Sequence, residues 1–337
     1  MAQNRLGLCL IAKNEEIDLP ACLESFVPSV DHVVFVDTGS TDRTLDIANR
    51  ILSQMPVHYE IHSFTDCNDS QGRINDFSMA RNFAIKQIER KDVDFIMMCD
   101  ADDTLTTPEV KAVIGRKPAD FYSVRYRMND NFFFSSYKIW RNGMGVRFDG
   151  RVHEVLRVDW NRKIVDLNEV EYQHHFSTIP GQETGTERNM RILRSEIYPP
   201  LRSLFYWANE NVDNQSYEEA IKWYQSYIDR VKAGEPTWSV ELAHCYWRGA
   251  RWYQHLGQTN EAINLCRELL DMDSSWSEAW CELAYIARLR GDLEKMKEYC
   301  LKALSNPFVP RLFSEIDKYT TTPANMLELY KMLKGVS

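Results

Sequence analysis

The sequence has no apolar run long enough to span a bilayer, and its eight cysteines include no Cys-x-x-Cys pair. The first absence leaves no candidate for a membrane-spanning helix. The second removes the spacing of structural zinc and of a disulfide scaffold. Cys9 and Cys99 instead sit in apolar strand-like runs, and Cys245, Cys266, Cys281 and Cys300 in helical patterns, as buried reduced thiols do. A Walker loop and a Gly-x-Gly-x-x-Gly turn are also missing, so kinase and dehydrogenase readings lose their phosphate-binding loops. An excess of positive charge is missing too: the formal net charge of -9 weighs against a surface that tracks nucleic acid or anionic lipid throughout, while leaving room for a local basic face. Asn4 and Arg5 run straight into an apolar strand, without a basic tip and leader core, which leads us to expect a cytoplasmic protein.

What is present is long enough, at 337 residues, for two domains. Three strand-like runs each end in a polar turn that opens a helical pattern. Residues 6–12 lead into Lys13-Asn14-Glu15-Glu16, residues 33–36 into Asp37-Thr38-Gly39-Ser40-Thr41-Asp42, and residues 95–99 into Asp100-Ala101-Asp102-Asp103. Strand and helix alternating at this spacing predict a parallel sheet covered by helices, with ligands beyond the carboxyl ends of the strands. Asp37 and the acidic cluster fall there. Hard oxygen ligands at a strand end can share one divalent cation with a nucleotide sugar, although the same carboxylates could simply cap the strand and open the turn.

Taken in order, Ala12-Lys13-Asn14-Glu15-Glu16, Val36-Asp37-Thr38-Gly39-Ser40-Thr41-Asp42, Phe77-Ser78-Met79-Ala80-Arg81-Asn82 and Asp100-Ala101-Asp102-Asp103 resemble glycosyltransferase family 2 with its GT-A fold. Gly150-Arg151-Val152-His153-Glu154 is similar to the branch whose catalytic domain is followed by tetratricopeptide repeats. The resemblance implies an α/β nucleotide-sugar-binding domain with a mostly parallel sheet, a UDP-sugar donor carrying a hexose such as glucose, and a divalent metal, Mn preferred and Mg possible. It implies that Asp37 bonds the nucleobase, that Asn14 belongs to the donor site, that Asp100 approaches the ribose and that Asp102 ligates the metal. Arg81 would point into the donor pocket, pairing a phosphate or holding Asp100; its alternative is a surface cation on an amphipathic helix.

Glu154 is the general base that the resemblance implies. On a short extended segment His153 and Glu154 would face opposite ways, one catalytic and the other structural. His174 and His175 stand where such enzymes often supply a C-terminal metal ligand, and His174 is preferred; either could equally be a satisfied core histidine. Family members usually continue with Gly-Tyr where this chain has Phe176-Ser177.

Periodicity changes near residue 185, with Pro180, Gly181 and Gly185 marking a joint, so a catalytic domain is expected over 1–185 and an all-α tetratricopeptide-like solenoid over 186–337. Gly257 and Gly291 lie 34 residues apart, and the same shift carries Cys266 onto Cys300. A looser copy runs from Leu204 through Tyr224, Pro236 and Pro307 end helices, and residues 311–334 form a cap. The many tryptophans of this half are read chiefly as interhelix packing.

Residues 121–151 interleave aromatics with Arg and Lys, which suits an approaching glycan, lipid-linked phosphate or single-stranded nucleic acid, or else an ordinary sheet face. Together these features predict a soluble, metal-dependent, inverting glycosyltransferase acting on a peptide or protein, with a saccharide or lipid-linked core next. A nucleic-acid base is a further acceptor, disfavoured by the net charge. A non-catalytic nucleotide-sensing scaffold is the rival class, against which Asp100, Asp102 and Glu154 count. No residue indicates the oligomeric state.

Overall fold

The structure, a computed structural model, describes residues 4–107, 109–129, 132–175, 183–309, 311 and 314–335; Phe176-Ser177, Pro180 and Gly181 lie outside them. The chain divides into two compact units, Met1–Thr184 and Gly185–Ser337.

In the first unit β1 (Leu6–Ala12) is buried along its whole length, the reason for its unbroken apolar sequence. Leu8 and Leu10 enter one core and Cys9 and Ile11 the other, as the two-residue strand period requires. α1 (Leu19–Phe26) carries Pro20 in its first turn and buries Leu19, Cys22, Leu23 and Phe26, a stripe at helical spacing. β2 (His32–Asp37), α2 (Thr44–Gln54) and β3 (His58–Ser63) follow. α3 (Phe77–Ile88) is capped by Asp76, whose carboxylate accepts the Met79 N–H at 2.8 Å. Then come β4 (Phe95–Asp100), β5 (Asp103–Leu105), α4 (Val110–Arg116), β6 (Phe121–Asn129), β7 (Phe132–Arg141), a ribbon of β8 (Phe148–Asp149) with β9 (Val155–Leu156), and β10 (Ile164–His174).

The eight-stranded sheet has the order β3-β2-β1-β4-β7-β6-β10-β5. Its first four strands are mutually parallel, β7 runs against β4 and β6, and β10 lies parallel to β6 with β5 antiparallel beside it. This is the mostly parallel, GT-A-like sheet that the sequence predicts. Two registers set the site: Ala12 opposite Asp37 and Ile11 opposite Asp100 bring both carboxylates to the end of β1.

The aromatic stretch is largely core. Phe121, Tyr122, Tyr126 and Trp140 are buried on β6 and β7, so they cannot stack an acceptor. The exposed remainder is small, with Phe133 and Phe134 open to solvent and Arg125 over the Phe133 ring at 4.7 Å.

The second unit contains α5 (Gly185–Arg194), α6 (Leu201–Asp213), α7 (Tyr217–Lys232), α8 (Ser239–His255), α9 (Thr259–Met272), α10 (Ser277–Leu289), α11 (Leu293–Ser305) and, after a 3₁₀ turn over Ile316–Tyr319, α12 (Thr321–Lys334). α5 begins at the glycine that the sequence reading took for a joint. It forms because Met190, Ile192 and Leu193 give an otherwise charged segment a buried stripe. Gly257 and Gly291 occupy the α8–α9 and α10–α11 turns at φ of 77° and 74°. Trp207 stacks on Trp223 at 4.0 Å, and Trp247 and Trp276 are buried in the same core. All eight cysteines are free and buried. Among the described residues, no helix is long and apolar enough to cross a membrane.

Candidate active site

The loops after β1 and β2 are tied to each other at the sheet's carboxyl end. Asp37 is 2% exposed, and its carboxylate accepts the Gly39 N–H at 3.0 Å and the Ser40 N–H at 3.1 Å, an Asx turn for which Gly39 adopts φ of 95°. Asn14 sits in the left-handed region at φ of 56°, donates its N–H to Ser40 Oγ and accepts the Thr41 N–H at 2.8 Å. Both candidate donor-binding residues therefore also hold the backbone of the pocket wall.

On the other side of β1, Arg81 of α3 joins Asp100 to Glu154, which lies 73 residues beyond Arg81 in the chain. Its Nη2 pairs with Asp100 Oδ1 at 2.6 Å and its Nε with Glu154 Oε1 at 2.5 Å, all three side chains being a quarter exposed or less. The segment bearing Glu154 is clamped to the same helix. Asn82 donates to the Phe148 carbonyl and accepts the Phe148 N–H, Phe77 N–H donates to the Arg151 carbonyl, and Ser78 Oγ bonds Gly150 O. Residues 150–154 are not the extended stretch that the sequence suggests. Gly150 at φ of 97° and His153 at φ of 51° turn the chain, so strand alternation does not decide which way His153 and Glu154 face.

Lys138 of β7 adds a second cation, 3.2 Å from Asp100 and 4.7 Å above the Tyr126 ring. Burial alone would raise the Asp100 pKa, but Arg81 and Lys138 outweigh it and hold the carboxyl well below the usual range. Asp102 is the opposite case. Burial, then the Asp100 charge, pushes it up to about 7.

Asp102, Asp103 and His174 offer ligand atoms within 4.8 Å of one another. The antiparallel pairing of β5 with β10 sets His174 opposite Asp103. His174 Nδ1 stands 3.1 Å from Asp103 Oδ1 and 3.5 Å from Asp102 Oδ1. Asp103 is fully buried and accepts from Tyr126 Oη at 2.6 Å and the Asp100 N–H at 3.0 Å, so it braces the imidazole. Burial lowers the His174 pKa, yet the Asp103 hydrogen bond and the Asp102 charge leave it raised. The His175 ring goes elsewhere, to Thr104 Oγ1 at 2.8 Å. Two carboxylates and an imidazole, with negative charge left over after Arg81 and Lys138, are a donor set that fits a divalent cation.

In sequence, Tyr126 and Lys138 stand only in the 121–151 stretch offered to the acceptor, Asp103 reads as a turn carboxylate, and Glu15 is not singled out. Burial, with the Asp102 charge next, pushes Glu15 up to about 8, so its carboxyl belongs to the same acidic surroundings. Its place in the Asn14-Glu15 motif was the available signal.

Residues 8–165 match the family model described as glycosyl transferase family 2, and residues 277–306, which span α10 and α11, match a tetratricopeptide repeat. A TPR repeat-containing protein of Synechococcus elongatus is 30% identical over 161 residues, which are 46% of this chain and 36% of that protein. The SPbeta prophage-derived glycosyltransferase SunS of Bacillus subtilis is 26% identical over 244 residues, 66% of this chain and 53% of SunS. This chain therefore spans about half or less of those relatives. Among solved structures, S. aureus TarS 1-349 in complex with UDP aligns with a TM-score of 0.40 at 13% identity, over 97% of this chain and 91% of that one. By these matches, residues 8–165 carry a glycosyltransferase family 2 domain and residues 277–306 a tetratricopeptide repeat.

Proposed function

We propose that the chain is a metal-dependent, inverting glycosyltransferase that moves a hexose, glucose first, from a UDP-sugar to a hydroxyl or other nucleophile on a peptide or protein, with a saccharide as the next acceptor class. The Arg81 bridge carries this reading: it joins the candidate base Glu154 to Asp100, two residues before the Asp102–Asp103–His174 group. Asp102 and His174 would hold the cation, Mn before Mg because an imidazole is among the donors. When bound, the cation would offset charge on the departing diphosphate.

The remaining work falls to side chains of the chain itself. Asp37 and Asn14 wall the nucleobase pocket, and Asp100 receives the ribose. Glu154 takes the acceptor proton while the acceptor atom bonds to the anomeric carbon and the bond to the diphosphate oxygen breaks. Arg81 keeps that carboxylate in place, and correct placement supplies much of the rate. His153, its neighbour, is the second candidate for the base.

The test is UDP release and transfer by the full chain with several nucleotide sugars in Mn or Mg. Glu154→Gln should retain UDP-glucose binding while kcat falls on the order of a hundredfold. Full turnover in that variant, with loss in His153→Ala, would move the base to His153. No turnover of any nucleotide sugar would favour a nucleotide-sensing scaffold.

A further inference from the structure

Within the helical unit, α8, α10, the 3₁₀ turn and α12 line a cavity of about 630 Å³. Trp252 forms a fixed wall, its ring stacked on Tyr217 with centroids 4.3 Å apart and planes 11° apart. Leu289 and Met326 supply apolar surface.

One acidic group of the lining lacks a donor. Glu282 is half-buried and makes no hydrogen bond or ion pair among the described residues. Burial raises its pKa, with Arg251 and Lys318 pulling the other way. Those two cations are committed to other carboxylates. Arg251 pairs with Glu315 at 3.0 Å, and Lys318 with Asp317 at 3.0 Å and Glu315 at 3.5 Å. Three carboxylates (Glu282, Glu315 and Asp317) thus face two cations, and the one left over is Glu282.

An incoming carboxylate would meet an unpaired carboxylate and cations already engaged. A neutral apolar group would strip water from Glu282 and leave it without a partner. A group with several N–H donors and a positive charge satisfies it.

We propose that this cavity takes the cationic side chain, lysine or arginine, of the peptide acceptor, with its charged head at Glu282 and its methylene stem along Leu289 and Met326. The identity of the peptide as acceptor rests on the function proposed above, whereas the binding can be measured without turnover.

The experiment is fluorescence anisotropy of the full chain, without donor or metal, against fluorescein-labelled Gly/Ser dodecapeptides with acetylated and amidated ends and a central triplet of Lys, Arg, norleucine or Glu. Lys and Arg peptides should bind at least ~10-fold tighter than the norleucine peptide. Glu282→Gln should remove most of that preference, and Asp102→Ala, in the other unit, should leave it intact. If Glu282→Gln fails to fold, as judged by circular dichroism, Glu282→Ala carries the same comparison. Preference for the Glu peptide, equal binding of the Lys and norleucine peptides, or loss on Asp102→Ala with retention on Glu282→Gln would each overturn the assignment. Lys preference in a chain that turns over no nucleotide sugar would keep the pocket and discard the enzyme reading.

Discussion

Arg81 uses two edges of one planar fork for two carboxylates that reach it from distant parts of the sequence. An ammonium has no such fixed fork, so a lysine at this position would hold Asp100 and Glu154 with a less defined geometry. Arg81→Lys should therefore fold, keep the charge and lose roughly 10- to 100-fold in kcat/KM for the UDP-sugar, or about 1.4–2.8 kcal/mol, in steady-state UDP release. A wild-type value would mean that the bridge does not serve the reaction. Arg81, Asp100, Asp102 and Glu154 could be picked out beforehand because each lies in a motif whose order along the chain is itself informative. Asp103, Lys138 and Tyr126 could not, since their place depends on β5 meeting β10 and on β7 meeting β4, and no local pattern announces those pairings. Asp103 reads in sequence as one more turn carboxylate, yet it is the fully buried brace of His174.

Among the elements, the parallel half of the sheet was legible because strands buried on both faces must be apolar throughout, as β1, β2 and β4 are. The antiparallel half was harder. Its aromatics and cations look alike whether they face a core or a ligand, and only the pairing of β6 with β7 shows that Tyr122 and Trp140 point inward. The helix pairs divide in the same way. Gly257 and Gly291 mark two turns, whereas the α6–α7 turn places Gln215 at φ of 58°, so the first pair lacks the glycine that would reveal the repeat. A β-carbon in that left-handed conformation costs about 1–2 kcal/mol, partly offset by the greater freedom that glycine has in the unfolded chain. Gln215→Gly should thus raise stability by about 0.5–1 kcal/mol, read as a higher urea midpoint at unchanged slope. A lower midpoint would show that the Gln215 side chain contributes more than its backbone costs.

At the scale of the whole molecule, each unit has hydrophobic cores of its own, and the second contains a histidine that resists protonation. His244 is fully buried on α8, accepting the Trp247 indole N–H at 2.9 Å with the Trp276 ring 5.4 Å away. Burial, reinforced by Arg248 and Arg311, pushes its pKa down to about 3. An unfolded chain takes up that proton near pH 6.5 and the folded one only near pH 3, so between these values the unfolded state binds more protons. Stability from this site therefore falls as pH drops through that window, by about 2 kcal/mol between pH 6.5 and 5. Glu241, Glu278 and Glu282 have raised pKa values, chiefly through burial, and so act in the opposite sense. They do so equally in a variant that alters only the histidine. His244→Gln keeps an acceptor for the indole but cannot be protonated in this range. Its unfolding free energy, compared with wild type in urea titrations of the full chain, should gain about 2 kcal/mol on the wild type as pH falls from 6.5 to 5 and change little above pH 7. A difference that stays constant across those pH values would mean that His244 takes up its proton as readily in the folded chain as in the unfolded one.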